Sequence, residues 1–153
     1  MPKSALKAVS TEKDTPKDFW ANLKHFKPTD FRCRCDIMCD HKNIISEDLV
    51  TKLELLREAI GLPVRINSGS RCKRYNEGVV HGSPNSPHTP NGDGFTYAVD
   101  IHVPDNQYLY QILNHAFLLG FSGIGIGKGW VHLEDVPFKN DRKLWVYPSN
   151  KKK

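Results

Sequence analysis

The feature that most constrains this chain is a polar stretch over residues 67–102, between a predicted strand and a predicted helix. It is crowded with Gly, Pro, Ser and Asn, yet it carries an arginine, several histidines and an aspartate. Such a composition forms loops, and loops held on a rigid scaffold are where binding groups concentrate. We therefore expect this stretch to supply most of a zinc site, with a further ligand from later in the chain.

The size and composition of the chain indicate one globular domain. It has 153 residues, of which 39% are hydrophobic and 25% charged, and these are ordinary proportions for such a domain. We predict a flexible basic arm over residues 1–18, one domain over residues 19–148, a basic tail over residues 149–153, and a monomer. No apolar run approaches the roughly 18–20 residues of a membrane span, and the N-terminus lacks the apolar segment of a secretory signal.

The formal net charge of +5 suits an anionic partner such as nucleic acid, a membrane surface or a bacterial wall polymer. It is also compatible with mere solubility and weak attraction to polyanions. The sequence has no nucleic-acid-binding motif and no aromatic residues interleaved with a basic stripe. We therefore do not predict a nucleic-acid partner.

Two amphipathic helices are predicted from their caps and apolar stripes. Ser46 can cap the first, which Gly61 ends, and Asp105 or Asn106 can cap the second, which Gly120 ends. A third, shorter helix is predicted from apolar residues at helical spacing: Trp20, Leu23 and Phe26.

Five short strands are predicted, over residues 63–67, 97–103, 122–127, 130–134 and 144–147. A Gly-Lys-Gly turn separates the third from the fourth, which favours a β-hairpin. Side chains two positions apart share one face of a strand. Asp100 and His102 on one strand, and His132 and Glu134 on another, could therefore point to one place.

Catalytic zinc typically has three protein ligands from His, Asp, Glu or Cys and a fourth position for water. His88, Asp100 and His132 meet this requirement. Two alternatives stay open from spacing alone. A single loop histidine such as His88 is more often a surface residue, and Asp100 could form a turn at the end of its strand.

A second group of metal-binding residue types lies near the start of the domain, where Cys33, Cys35, Cys39 and His41 fall close together. Their spacing could hold a structural metal, although it is not one of the strong paired-cysteine patterns. One of the three cysteines could instead form a disulfide with Cys72. Without an export signal, reduced thiols are favoured, and we predict these.

From Phe26 onward, short motifs follow one another in a particular order: Phe31-Arg32-Cys33, Ser68-Gly69-Ser70-Arg71, Tyr75-Asn76, Asn85-Ser86-Pro87-His88, Ala98-Val99-Asp100-Ile101-His102, Gly123-Ile124-Gly125 and Trp130-Val131-His132-Leu133-Glu134. This series resembles the family of zinc D-Ala-D-Ala carboxypeptidases and peptidoglycan endopeptidases. It is most similar to the branch that includes phage endolysins and bacterial murein endopeptidases.

The resemblance implies an α+β fold with a small antiparallel sheet, helices packed on one side and a zinc site at the sheet. It implies that His88, Asp100 and His132 bind Zn²⁺. Arg71 would hold a substrate carboxylate or the developing oxyanion, a role suited to a fixed guanidinium. Substrate-binding or supporting roles are implied for Ser86, His102, Tyr75 and Asn76.

The chain departs from two motifs of the family, the arginine motif Ser-Gly-Tyr-Arg and the pattern S-x-H-x-x-G-x-A-x-D. Ser70 stands where the arginine motif usually has tyrosine. His88 and Asp100 are further apart than the pattern allows, so residues 89–96 must loop out. This insertion carries Asp93 and could form one wall of the substrate cleft.

The general base is a further departure. Several family members carry an acid three residues before the last zinc histidine, or a histidine two before it, but this chain has Gly129 and Trp130 there. Glu134 is our candidate base because it shares a strand face with His132. The alternative is that Glu134 only orients a ligand or pairs with Arg71 or Lys128.

We predict a zinc metallopeptidase that cuts peptide bonds in the D-amino-acid-containing stem or cross-bridge of peptidoglycan. We predict that it is a phage lytic enzyme, which would accumulate in the host cytoplasm before release, or travel with the virion, and then act on the cell wall. The alternative is a non-catalytic zinc-containing binding or virion structural module of the same fold. A nucleic-acid-binding zinc protein built on the cysteines ranks last.

Overall fold

Five helices and a five-stranded sheet make up residues 16–149, which are the residues that this computed structural model describes. The elements are α1 (Pro16–Ala21), α2 (Pro28–Phe31), α3 (Glu47–Ile60), β1 (Ile66–Ser68), α4 (Lys73–Gly78), β2 (Ala98–His102), α5 (Asn106–Leu119), β3 (Gly123–Gly127), β4 (Trp130–Glu134) and β5 (Lys143–Val146). The predicted α+β class is confirmed. Most of the predicted arm, residues 1–15, and most of the predicted tail, residues 150–153, lie outside the described residues.

The two long helices begin and end where their caps predicted. The Ser46 hydroxyl accepts from the Leu49 amide at the start of α3, and the Asp105 carboxylate accepts from Tyr108 at the start of α5. Gly61 and Gly120 end them with φ of 64° and 72°, left-handed angles that favour glycine. Both helices pack on the sheet through the apolar stripes that the sequence indicated.

The first helix is shorter than predicted. It ends at Ala21, and the backbone amides of Lys24 and His25 donate to the Glu54 carboxylate instead of to helical carbonyls. Leu23 and Phe26 still pack against the core from irregular chain. The apolar spacing therefore indicated correctly which side chains contact the core, but a tertiary contact replaced the helical hydrogen bonds.

The strand order is β1-β2-β4-β3-β5. The pairs β1–β2, β2–β4 and β4–β3 are antiparallel, as predicted, whereas β5 pairs with β3 in parallel. The sheet is therefore mixed. The reason is the connection over residues 135–142, which passes the start of β3 and brings Lys143 beside Gly123.

The two faces of the sheet have different contents because side chains alternate along each strand. Val99, Ile101, Val131 and Leu133 face α3 and α5 in the apolar core. The intervening residues of β2 and β4, among them Asp100 and His132, face the other way.

The described residues contain no helix long and apolar enough to cross a membrane.

Candidate metal centre

Three polar side chains meet on the face of the sheet opposite α3 and α5. Asp100 on β2 is the direct partner of His132 on β4, and His88 joins them from the preceding loop. His88 Nε2 lies 3.2 Å from His132 Nδ1 and 3.3 Å from Asp100 Oδ1. His132 Nδ1 lies 3.1 Å from the same carboxylate oxygen. The three atoms thus form a nearly equilateral triangle, and all three residues are buried.

The ring orientation of His88 is set by a backbone carbonyl. Nδ1 lies 2.7 Å from the Gly69 carbonyl oxygen, which can only accept, so Nδ1 carries the proton and Nε2 keeps its lone pair. Burial lowers the pKa of His88 to about 4. The ring is therefore neutral at neutral pH and presents a lone pair to the triangle.

The ring of His132 is oriented by Glu134. Its Nε2 lies 2.9 Å from Glu134 Oε2. Burial alone would raise the pKa of Glu134, but the hydrogen bond from His132 and the charge of Lys139 lower it overall. The ionised carboxylate thus accepts from Nε2 and leaves Nδ1 as the atom that faces Asp100. This carboxylate–histidine pair has the form that commonly supports metal-bound histidines.

The donor set fits zinc. Four donors about 2.0 Å from a tetrahedral zinc ion lie about 3.3 Å from one another, close to the spacing of the triangle. A proton on His132 Nδ1 would make a hydrogen bond to Asp100 alone. A metal ion at the centre would instead accept a lone pair from each of the three residues. His88, Asp100 and His132 are therefore the residues that would hold it.

Arg71 supports the triangle from behind. The side chain is 2% exposed, and its Nη2 donates to Asp100 Oδ2 at 2.7 Å. The remaining contacts are from Nε to Ser68 and from Nη1 to Asn76. The second carboxylate oxygen of Asp100 is thus engaged, which leaves Oδ1 for the metal. The predicted contact of Arg71 with a substrate stays a prediction.

The long spacing between His88 and Asp100 is accommodated by a closed loop. The amide of Tyr97 donates to the Pro87 carbonyl at 2.8 Å, and the Arg71 amide donates to the His88 carbonyl at 2.7 Å. These two bonds fix the backbone on both sides of His88. Residues 89–96 therefore extend from a fixed base, and the inserted residues do not displace the ligand.

The other predicted site residues lie around this centre. Asn76 is fully buried and its amide nitrogen donates to the Ser83 carbonyl, so it holds Arg71 against the following loop. The Ser86 hydroxyl accepts from the His88 amide. His102 is two residues along β2 from Asp100 and pairs with Trp130 on β4. Tyr75 is in α4. Their predicted roles toward substrate stay predictions.

Two aromatic residues of the site were not predicted. The rings of Trp145 and Tyr147 lie 5.5 Å and 6.5 Å from that of His132. Burial raises the pKa of Tyr147, and the charges of Asp100 and Glu134 raise it further, so its phenol keeps its proton and can donate. Alternation along the last predicted strand puts the two on one face, since they are two positions apart, but it does not bring that strand to His132.

Glycines on β3 make room for these groups. A Cβ at Gly125 would lie 2.6 Å from the Trp145 indole nitrogen, and one at Gly123 would lie 2.5 Å from the Glu134 side chain. Because Gly125 is the strand neighbour of both His132 and Trp145, the missing side chain lets the indole reach the histidine.

The cysteines form a separate group. None of the four is in a disulfide, in agreement with the predicted reduced thiols, and their sulfur atoms lie together outside the sheet.

Comparison with known proteins agrees with this geometry. No curated protein matches the chain. A family model described as Peptidase M15 matches residues 24–134. The match includes Arg71, the three triangle residues and Glu134, and it covers well over half of the chain. The chain therefore belongs to the peptidase M15 family, whose members are in general zinc-dependent, D-Ala-D-Ala carboxypeptidase-like peptidases.

Proposed function

We propose that this zinc peptidase cuts a peptide bond in bacterial peptidoglycan, in the stem or the cross-bridge, and that it serves as a phage lytic enzyme acting on the cell wall. The observation that carries the peptidase activity is the triangle of His88, Asp100 and His132, with donor atoms 3.1–3.3 Å apart. The wall substrate is supported by the family match and by the basic net charge of +5, which suits an anionic wall.

In this proposal the protein groups have distinct tasks. When bound, zinc supplies Lewis-acid polarisation of a peptide carbonyl and acidifies water. Arg71 keeps Asp100 turned so that one oxygen faces the metal, and Gly69 and Glu134 keep the two histidines in the required tautomers. Tyr147 is a neutral phenol whose ring lies 6.5 Å from that of His132, and in this proposal it donates a hydrogen bond to substrate.

Glu134 acts in this proposal by positioning His132. The width of the imidazole ring separates its carboxylate from the metal-facing atom, and Oε1 lies 3.4 Å from Lys139 Nζ. These contacts favour the alternative in which Glu134 orients a metal ligand. The role of Glu134 as general base stays a prediction. Neither Arg71 nor Lys128, the other expected partners, contacts Glu134 among the described residues.

The Glu134→Gln variant separates the two roles. A glutamine oxygen can still accept from His132 but lacks the negative charge that makes the ligating imidazole more basic. A positioning role therefore predicts zinc affinity weakened by about 10–100-fold and an unchanged acidic limb in the pH profile of kcat/KM. A general base would instead leave zinc affinity intact, lower kcat by about 10²–10⁴-fold and abolish that limb.

The function is tested by digesting purified muropeptides with zinc-loaded protein and identifying the products by mass spectrometry. We expect stem or cross-bridge cleavage by the wild type, none by His132→Ala, and full activity in His115→Ala, which removes an imidazole from α5 on the opposite side of the sheet. Zinc-loaded wild-type protein that cleaves no peptide would overturn the proposal and favour the non-catalytic binding module.

A further inference from the structure

A second set of metal-binding atoms lies away from the sheet face that carries His88, Asp100 and His132. The sulfur atoms of Cys33, Cys35, Cys39 and Cys72 all lie within 4.8 Å of one another, and the Cys35 and Cys39 sulfurs are 3.4 Å apart. In a tetrahedral zinc site with Zn–S bonds of about 2.3 Å, neighbouring sulfurs are about 3.8 Å apart. A disulfide requires about 2.05 Å. The four sulfurs are therefore arranged around a common point.

Backbone amides point at three of these sulfurs. The Cys72 amide donates to Cys33 at 3.2 Å, the His41 amide to Cys39 at 3.4 Å, and the Tyr75 amide to Cys72 at 3.4 Å. Hydrogen bonds to a charged form stabilise that form. The surrounding backbone is thus organised to stabilise thiolates, the state of cysteine that binds metals.

The fourth sulfur has a side-chain donor. His41 Nε2 lies 2.6 Å from the Cys35 carbonyl oxygen, which can only accept, so Nε2 carries the proton. The same nitrogen lies 3.3 Å from Cys35 Sγ. His41 therefore donates toward this sulfur and presents no lone pair to the cluster, which distinguishes a four-cysteine site from one with three cysteines and a histidine.

We propose that Cys33, Cys35, Cys39 and Cys72 bind a second zinc ion with a structural role. All four tetrahedral positions are filled by sulfur, so water has no position in this site. Three ligands come from irregular chain between α2 and α3, and Cys72 comes from the start of α4. The ion would thus join this loop to the residue that follows Arg71. The proposal does not rest on the peptidoglycan substrate or on peptidase activity.

Metal analysis and cobalt substitution test the proposal. We expect two zinc ions per chain in the wild type and one in each of Cys35→Ser, Cys39→Ser and His132→Ala. The matched control is Asp36→Asn, an exposed change in the same loop, which should keep both. With Co²⁺, the near-ultraviolet thiolate-to-metal charge-transfer band should persist in His132→Ala and Asp36→Asn but be lost in Cys35→Ser.

One zinc per chain that is lost in His132→Ala, or the absence of a charge-transfer band in Co²⁺-loaded wild type, would overturn the proposal. Fewer than four titratable thiols in denatured, unreduced protein would do the same, because it would indicate a disulfide. If the serine variants do not fold, a mercurial thiol reagent is titrated into the wild type. Release of one zinc in step with modification of four thiols then supports the site, and release unrelated to thiol modification contradicts it.

Discussion

The histidine–aspartate cluster and the cysteine cluster are built in different ways. In the histidine–aspartate cluster, Asp100 and His132 are paired residues on adjacent strands, so the sheet's hydrogen bonds set their separation. In the cysteine cluster, Cys33, Cys35 and Cys39 lie on irregular chain between two helices. Two of the three residues in the first cluster are therefore positioned by strand pairing, and His88 joins them from a loop, whereas no cysteine of the second cluster lies in a strand.

This difference separates two uses of a metal. A cluster positioned by a sheet can keep its geometry without the ion, so a coordination position can be left open for chemistry. A cluster on irregular chain gains its order from the ion, and the binding free energy then contributes to folding. We therefore expect removal of metal to affect the two regions differently.

The largest expected effect concerns whether the histidine–aspartate cluster is ordered without metal. Arg71→Met leaves the buried Asp100 carboxylate without its guanidinium partner, and losing one member of a buried ion pair typically costs about 3–5 kcal/mol. We expect a loss of this size in urea unfolding of chelated protein, and a smaller loss with zinc, because the ion then compensates the carboxylate.

The control for this change is Arg74→Met, which removes the same charge from an exposed position on α4. Exposed substitutions usually change stability by less than about 0.5 kcal/mol. Equal losses of unfolding free energy in the two variants would mean that the Asp100 carboxylate does not depend on Arg71. Arg71 would then not hold the histidine–aspartate cluster in place.

The second effect concerns Trp145 and Tyr147, the aromatic residues beside His132 in the histidine–aspartate cluster. Gly125→Ala places a Cβ against Trp145 and Tyr147, and overpacking of this kind typically costs about 1–3 kcal/mol. Gly92→Ala is the control, since a Cβ there meets no atom within 4 Å. Thermal unfolding of both variants checks the prediction, and an undestabilised Gly125→Ala would show that β5 can move away from His132 at no cost.

The third effect compares the two regions directly. After chelation, we expect amides of residues 33–44 to exchange at least about tenfold faster with deuterium, which corresponds to about 1.4 kcal/mol of local opening. Amides of β2 and β4 should keep their protection because strand pairing continues without metal. Mass spectrometry of peptides from the two regions measures this, and equal loss of protection would remove the distinction between them.

The smallest effect probes the inserted loop, whose Pro90 and Gly94 line a 250 Å³ cavity together with Cys33, Cys39 and Cys72. Burial, and then the hydrogen bond to Asp93, raises the pKa of Tyr97 to about 12. Because this folded-state value exceeds the unfolded value of about 10, the associated stability is present below pH 10 and lost as pH rises toward 12.

Asp93→Asn should lower the pKa of Tyr97 without changing the zinc content of either cluster. Tyrosinate absorbance during alkaline titration measures the shift, with Tyr97→Phe to identify which transition belongs to this residue. An unchanged titration would mean that Asp93 does not anchor the loop.

Much of the fold could be predicted from local signals. Ser46 and Gly61 bounded α3, and Asp105 and Gly120 bounded α5, because caps act over one helical turn. Strand alternation placed Asp100 and His132 on one face before any register was known. The same alternation does not say which strand lies next to which, so the parallel pairing of β5 could not be derived from it.

The contacts of the site required three-dimensional information. Arg71 was singled out from the sequence, but its contact with Asp100 depends on the pairing of β1 with β2, which sets Ser68 beside Asp100. The contact of Glu134 with His132 lies within β4, where alternation had already put both side chains on one face. Trp145 and Tyr147 lie beyond the matched family region, and only the crossing over residues 135–142 brings them to His132. The sulfur positions likewise depend on how Cys72 meets a loop more than thirty residues earlier.

The closed base of the inserted loop also matters for engineering. The Tyr97–Pro87 and Arg71–His88 hydrogen bonds hold the backbone on both sides of His88, and residues 90–95 of the loop are exposed. These exposed residues can therefore be replaced without disturbing the buried ends of the loop. Segments of other lengths could be grafted between these anchors to vary substrate preference while the same three side chains keep the metal.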